Sequence, residues 1–184
     1  MSYVDTVKNT QVLEPYVLVS WVNAFLNGFQ TAGLDHRSIV INSGIEPGLL
    51  QQGYCSYSSV AAIFSSAEAL YGESIGIVSR RGVTPSVFRS LSIAVLSSDC
   101  LADGFESVVN HNASVTNVIE FYVDRASSTF GFDVAPGSDV SFSFASAVLV
   151  TALRTARFIQ PDLTVVQQVE LTHAKPNDSE VYEQ

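Results

Sequence analysis

Basic residues are scarce in this chain. Only two lysines occur, Lys8 and Lys175, and Lys and Arg together number 9 against 18 Asp and Glu, for a formal charge of −9. Such a surface repels phosphate, so direct nucleic-acid binding by these residues is not expected. Charge of either sign is thin as well, at 15% of residues, against about 25% in an average soluble chain. Cysteine is limited to Cys55 and Cys100. Two thiols 45 positions apart make neither a disulfide framework nor a zinc ribbon, and buried free thiols in a reducing compartment are expected. The opening segment, Met1 to Gln11, has no basic region followed by an apolar run. No signal peptide is expected, and a cytoplasmic protein is.

Long membrane-type runs are also missing. Pro15 to Leu34 carries no formal charge, but Ser20, Asn23, Asn27, Gln30 and Thr31 recur at three- and four-residue steps. They draw one polar stripe along a helix whose other faces carry Val17, Leu18, Trp21, Val22, Phe25, Leu26 and Phe29. Val140 to Leu153 is uncharged over 14 residues, too short to span a bilayer and suited to a core helix. What is abundant is apolar content, 47% over 184 residues. That excludes disorder for most of the length and permits one full hydrophobic core.

The first half reads as helices with clear punctuation. Glu14-Pro15 opens the first helix and Gly33 closes it. Asp35 caps a short helix through Ile39, ended by Gly44. Glu46-Pro47 begins a turn, and Gly53 to Tyr57 reads as a loop. Ser58 or Ser59 caps a helix to Tyr71. Ile75 to Ser79 makes a short helical piece, and Pro85 to Leu96 a longer one. Ser97-Ser98-Asp99 forms an N-cap cluster for a helix to His111. The second half changes period. Asn117 to Asp124 alternates, with Ile119, Phe121 and Val123 on one face and Glu120, Tyr122 and Asp124 on the other. Thr129 to Val134 alternates again, through Phe130 and Phe132, after a hairpin loop. Pro136 to Asp139 breaks the sheet and leads into a helix ending near Ile159. Leu163 to Thr172 alternates as a third strand, with Val165, Val169 and Leu171 on one face. His173 to Gln184 reads as an exposed polar tail. The fold class expected is α+β: a helical half, then a small antiparallel sheet with a packed core helix.

Catalytic patterns are absent. No G-x-S-x-G elbow, H-E-x-x-H, phosphate loop or G-x-G-x-x-G run occurs. Cys55 with His111 is the sole nucleophile–base pairing to consider, and Asp99, Asp103 and Glu106 at helical spacing read as a solvated face. Arg80-Arg81 reads as a helix terminus favoured by the dipole. Arg154 and Arg157 interrupt an apolar helix; they either snorkel outward or, for Arg154, pair with a carboxylate ligand. His111 reads as a helix-end residue, with haem ligation as the alternative if Phe105, Tyr122 and Phe130 enclose it.

The order of several segments is distinctive. Ser86 to Phe105, Ala32 to Asp35 with Ser43 to Leu50, Leu70 to Ile77, and Val165 to Pro176 followed by Tyr182 together resemble the N-terminal effector-binding, arabinose-binding-like domain of AraC/XylS-type transcriptional regulators. The resemblance spans residues 16 to 182. Arg89 and Ser92 stand where that family favours glycine, Asp99 replaces its proline, and His111 stands where tyrosine is usual.

The resemblance implies an N-terminal segment over 1–15, an effector-binding and dimerisation domain over 16–172, and a tail over 173–184 leading to a DNA-binding region not contained in these residues. It implies a small-molecule effector, a homodimer, DNA contact only through that helix-turn-helix region, and no membrane, metal, cofactor or catalytic residue. Tyr122, Phe130, Phe132 and Arg154 are the effector-binding candidates. A haem- or gas-sensing module and a small hydrolase are the alternatives.

Overall fold

The computed structural model describes residues 14–51, 53–78, 97–160, 162 and 167–174. Among these the fold is α+β, with helices through the first half, an antiparallel hairpin and a long helix after it.

The chain does not enter its first helix at Pro15. Tyr16–Leu18 is a short strand, β1, and the expected loop over Gly53 to Tyr57 holds its partner, β2 (Tyr54–Ser56). Tyr16 lies opposite Ser56, and Leu18 opposite Tyr54. Tyr16, Val17 and Tyr54 favour extended backbone. Three residues are too few to display a period of two, so the pairing is invisible locally. A third segment completes the ribbon. Val17 bridges Thr116, the Leu18 amide donates to the Val115 carbonyl at 2.7 Å, and the Thr116 hydroxyl donates to the Tyr16 carbonyl at 2.7 Å.

Helix α1 (Val19–Thr31) then buries Trp21, Val22, Phe25, Leu26 and Phe29 while its polar stripe faces outward. Gly33, at φ +84°, reverses the chain in a region that side-chain-bearing residues avoid. Asp35 caps α2 (His36–Asn42) by accepting the Arg37 and Ser38 amides at 3.1 and 3.2 Å; the helix runs one turn past the expected Ile39. A 3-10 turn over Pro47–Gln51 follows. Helix α3 (Tyr57–Tyr71) is capped by Ser56 rather than Ser58 or Ser59, its hydroxyl accepting the Ser59 amide at 3.3 Å. Short α4 (Ile75–Val78) is as expected. The helix expected over Pro85 to Leu96 lies outside the described residues.

Helix α5 (Leu101–Asn110) begins after Cys100 in extended conformation, so the Ser97 to Asp99 cluster precedes the cap position rather than filling it. The hairpin β3 (Ile119–Asp124) and β4 (Thr129–Val134) forms as its alternation requires. Asp124 organises the loop, accepting the Ala126 amide at 2.9 Å and the Ser127 hydroxyl at 2.6 Å. Ser141 caps α6 (Phe142–Ile159) through the Phe144 amide.

The third strand does not form over the described part of its span. Gln167 to Thr172 is irregular, and Val169 is 62% exposed. Alternation suits a strand, but a strand also needs a neighbour to bond. Leu171 alone of that stretch packs on the core. His173, placed by the sequence at the start of an exposed tail, is docked instead: its Nε2 donates to the Val140 carbonyl at 2.6 Å and its ring meets Phe142 edge-on.

The core is an aromatic lattice. Trp21, Phe25, Phe29, Tyr57, Phe64 and Phe144 are buried, and Phe144 alone meets Trp21, Phe25, Tyr57 and Phe64 edge-on at 5.4–6.2 Å. Edge-to-face pairs of this kind add about 0.5–1.5 kcal/mol each beyond their buried area. Helices α4 and α6 cross closely. A methyl group at Gly76 would collide with the Ser143 carbonyl oxygen and the Ser146 β-carbon, so only glycine fits there.

Candidate functional site

The hairpin register decides what its side chains can do together. Phe121 faces Phe132, and Val123 faces Phe130; Tyr122 faces Gly131, and Glu120 faces Asp133. Cross-strand partners share a face, so Phe130 and Phe132 lie on one side of the sheet and Tyr122 on the other.

The inner side is an aromatic seam. Phe130 stacks on Phe105 of α5 at 4.2 Å between centroids and on Phe121 at 5.4 Å, and Phe121 meets Phe132 edge-on at 6.1 Å. Phe121 and Phe132 also pack against the main core. This seam joins the hairpin to α5, and Phe130 and Phe132 are half-buried within it. Phe105 and Phe121 belong with those candidates. The alternation that placed Phe121 on one face with Ile119 and Val123 was the available signal for it.

The outer side is open. Tyr122 is 41% exposed, and its ring lies across Gly131, where an added β-carbon would approach the phenolic oxygen to 2.5 Å. Glu120, Asp124, Thr129 and Asp133 surround it, all exposed. Arg154 is half-buried on α6.

A clamp that the sequence did not reveal ties the hairpin loop to α5. Arg125 donates to Asp103 at 2.5 Å and to Glu106 at 2.6 Å. The guanidinium holds both carboxyls below their ordinary range, and they in turn raise Arg125. Asp103 and Glu106 are three residues apart on one helical face; the missing signal was the loop position of Arg125. Their solvated setting is as expected, since all three are well exposed.

The rival chemistries find little support in this geometry. Cys55 is 7% exposed; burial raises its thiol, whose nearest acceptor is the Val17 carbonyl at 3.6 Å. A thiol so held is a poor nucleophile. His111 is an exposed helix-end residue, its Nδ1 2.7 Å from the Ser107 carbonyl. A haem ligand requires an enclosed apolar setting. Among the described residues no group of three His, Cys, Asp or Glu side chains could hold a metal, and no helix is long and apolar enough to cross a membrane.

Among the described residues the arrangement is a helical body joined through an aromatic seam to a hairpin. The chain belongs to the arabinose-binding domain family, the N-terminal domain of AraC transcription regulators, whose family model matches residues 33–184. A comparison with curated proteins returned no match.

Proposed function

We propose that this chain senses a small-molecule effector and so governs the DNA binding of a helix-turn-helix region C-terminal to it, as a non-enzymatic, cytoplasmic, homodimeric regulator. The family match over residues 33–184 carries the reading. The charge of −9 supports a division of labour in which these residues listen and another region grips DNA. The low overall charge supports a surface partly covered by a second copy.

The effector is proposed to bind at the aromatic seam through Phe130 and Phe132, where a flat apolar ligand would intercalate between hairpin and α5. Arg154 is proposed as the anchor for an anionic effector, because it breaks an α6 sequence uncharged from Phe142 to Leu153. Tyr122 lies on the opposite face of the hairpin, outside the seam. Effector binding regulates only by differing between two domain arrangements; a coupling of about 1–3 kcal/mol changes operator affinity by about 5–150-fold.

A thermal-shift screen of small metabolites tests this. A binder at about 100 times its Kd adds about 2.7 kcal/mol, a rise in Tm of about 5–10 °C at this chain length. The hit should weaken with Phe130→Ala, Phe132→Ala or Arg154→Gln. A screen whose hits are indifferent to all three variants overturns the site. Turnover of a substrate by the purified chain overturns the non-enzymatic reading.

A further inference from the structure

The two edges of the hairpin are finished differently. Along an antiparallel pair, residues whose backbone groups point at the partner strand alternate with residues whose groups point away. Two hydrogen bonds fix the phase. The Ala135 amide donates to the Val118 carbonyl at 2.8 Å, and the Ile119 carbonyl, turned away from β4, accepts from the Asn112 side chain at 2.7 Å. Along the register, Thr129, Gly131 and Asp133 therefore bond to β3, while Phe130, Phe132 and Val134 turn their N–H and C=O groups outward. The free side of β3 lies against α5 and Asn112. Among the described residues none bonds to the outward groups of β4. β4 also lacks lysine, proline and a bulge, the common blocks to edge pairing. Val134, near its end, is 40% exposed. The strand-like segment Gln167 to Thr172 is held elsewhere, by Leu171 on the core and by His173 next to it on the Val140 carbonyl.

We propose that β4 pairs antiparallel with β4 of a second copy, across a two-fold axis at Phe132, and joins the two hairpins into one sheet. This names the surface of the homodimer proposed above and rests on that reading. The chain itself selects the register. With Phe132 opposite the partner's Phe132, Phe130 meets the partner's Val134, and every outward N–H and C=O of these three residues finds a mate. Shifting the pairing one way sets Pro136, which has no N–H, opposite Phe130; shifting it the other way sets Ser128, at φ 55°, opposite Val134. On the inner face, the partner's Phe130 covers the exposed Val134. On the outer face, Asp133 comes opposite the partner's Gly131, so acid does not face acid across the new contact. Tyr122 is already placed for it. Its ring reaches from β3 across Gly131 toward the free edge, and its hydroxyl makes no hydrogen bond among the described residues. In the dimer that hydroxyl donates to the partner's Asp133. An extended segment of another protein would meet the same backbone groups, but only β4 itself matches these side chains on both faces. The chains, each at −9, repel, so the contact rests on backbone bonds and apolar cover and tightens as salt is raised.

The test follows the 184-residue chain by light scattering and amide exchange between about 10 μM and about 1 mM, the span in which a small two-fold contact populates. The parent should pass from monomer to dimer. Over the same span the amides of Phe130, Phe132 and Val134 should gain about tenfold protection, while those of Gly131 and Asp133 are protected throughout. Val134→Pro removes an outward N–H and spares the bonds to β3; it should weaken the dimer about tenfold or more. Val134→Thr keeps the N–H and should hold the dimer within about threefold of the parent. Tyr122→Phe should weaken it about threefold. Ile41→Thr, which removes a 74% exposed apolar side chain on α2, should leave it unchanged. A dimer in which the three outward amides gain no protection overturns this surface and leaves the homodimer standing. So does a dimer that Ile41→Thr dissolves and Val134→Pro spares. Protection of the same three amides at every concentration overturns the proposal by giving the edge to another segment of the same chain. Tyr122→Phe dimerising as tightly as the parent overturns the register. A parent that stays monomeric across the whole span overturns the homodimer reading itself.

Discussion

Two aromatic clusters hold this protein, and they are built differently. Around Phe144 the rings meet edge-on and are almost wholly buried, each wedged among several others. Around Phe130 the rings lie parallel in a thin layer between α5 and the hairpin, with Phe105 buried and Phe121 and Phe130 half-buried. The first cluster draws on segments from Trp21 to Phe144 and is redundant in three dimensions. The second is a two-dimensional stack whose margin is fastened by solvent-exposed ion pairs from Arg125. A redundant lattice resists opening; a thin stack opens locally at low cost and is the better place for a ligand to enter.

Phe25→Ala gives the largest expected effect. It removes a ring with no exposure from the lattice and should cost about 3–5 kcal/mol, read by denaturant unfolding. Phe130→Ala should cost only about 1–2 kcal/mol, because solvent already reaches the ring and the stack can settle. Equal losses would break the contrast between the clusters. Faster amide exchange in Ile119–Val134 alone, in the Phe130→Ala variant, would sharpen it.

The next effect is seen in alkali. Burial, with Asp139 nearby, pushes the Tyr57 hydroxyl up to about 12 from 10.0, and that hydroxyl donates to the Asp139 carbonyl at 2.8 Å. The folded state retains this proton where the unfolded chain loses it, so its contribution is complete below pH 10 and declines as pH rises toward 12. Tyr57→Phe should flatten that part of the stability profile and, by losing the hydrogen bond to Asp139, lower stability at neutral pH by about 0.5–1.5 kcal/mol.

Arg125→Gln has the smallest expected effect. Its partners are exposed, so any loss of Tm should be slight and should shrink further in 0.5 M salt, a concentration of about 4 Å screening length. The sign is still testable. Asp103 and Glu106 are held below their ordinary range, so their contribution is present above it and is lost as pH falls through the lowered values. The variant should therefore be less sensitive to acid than the parent. A large loss at neutral pH would mean that the clamp, not the ring stack, holds the hairpin.

Long periodic elements were legible in the sequence. The polar stripe of α1, the two hairpin strands and the uncharged stretch of α6 from Phe142 to Leu153 each repeat a signal over several turns or residues, and each appears as read, as does the Asp35 cap. Short elements whose existence depends on remote partners were not. β1 and β2 are three residues each and hold only because the other, and Thr116, are there. Gln167 to Thr172 shows the converse, a strand-like pattern that finds no strand partner among the described residues. Among the site candidates, the sequence grouped Tyr122 with Phe130 and Phe132, and only the register of the hairpin places Tyr122 on the other face. Arg154 could not be placed relative to them, because helix–sheet geometry is a long-range outcome. The Arg125 clamp was hidden for the same reason.

The ribbon over Tyr16–Leu18 has a practical corollary for anyone producing the domain. A recombinant fragment begun at residue 33, where the family match starts, would lack the indole and benzyl groups of Trp21, Phe25 and Phe29 and the backbone splice to Val115 and Thr116. Such a fragment should fail to fold, whereas one begun at residue 14 retains every one of these attachments.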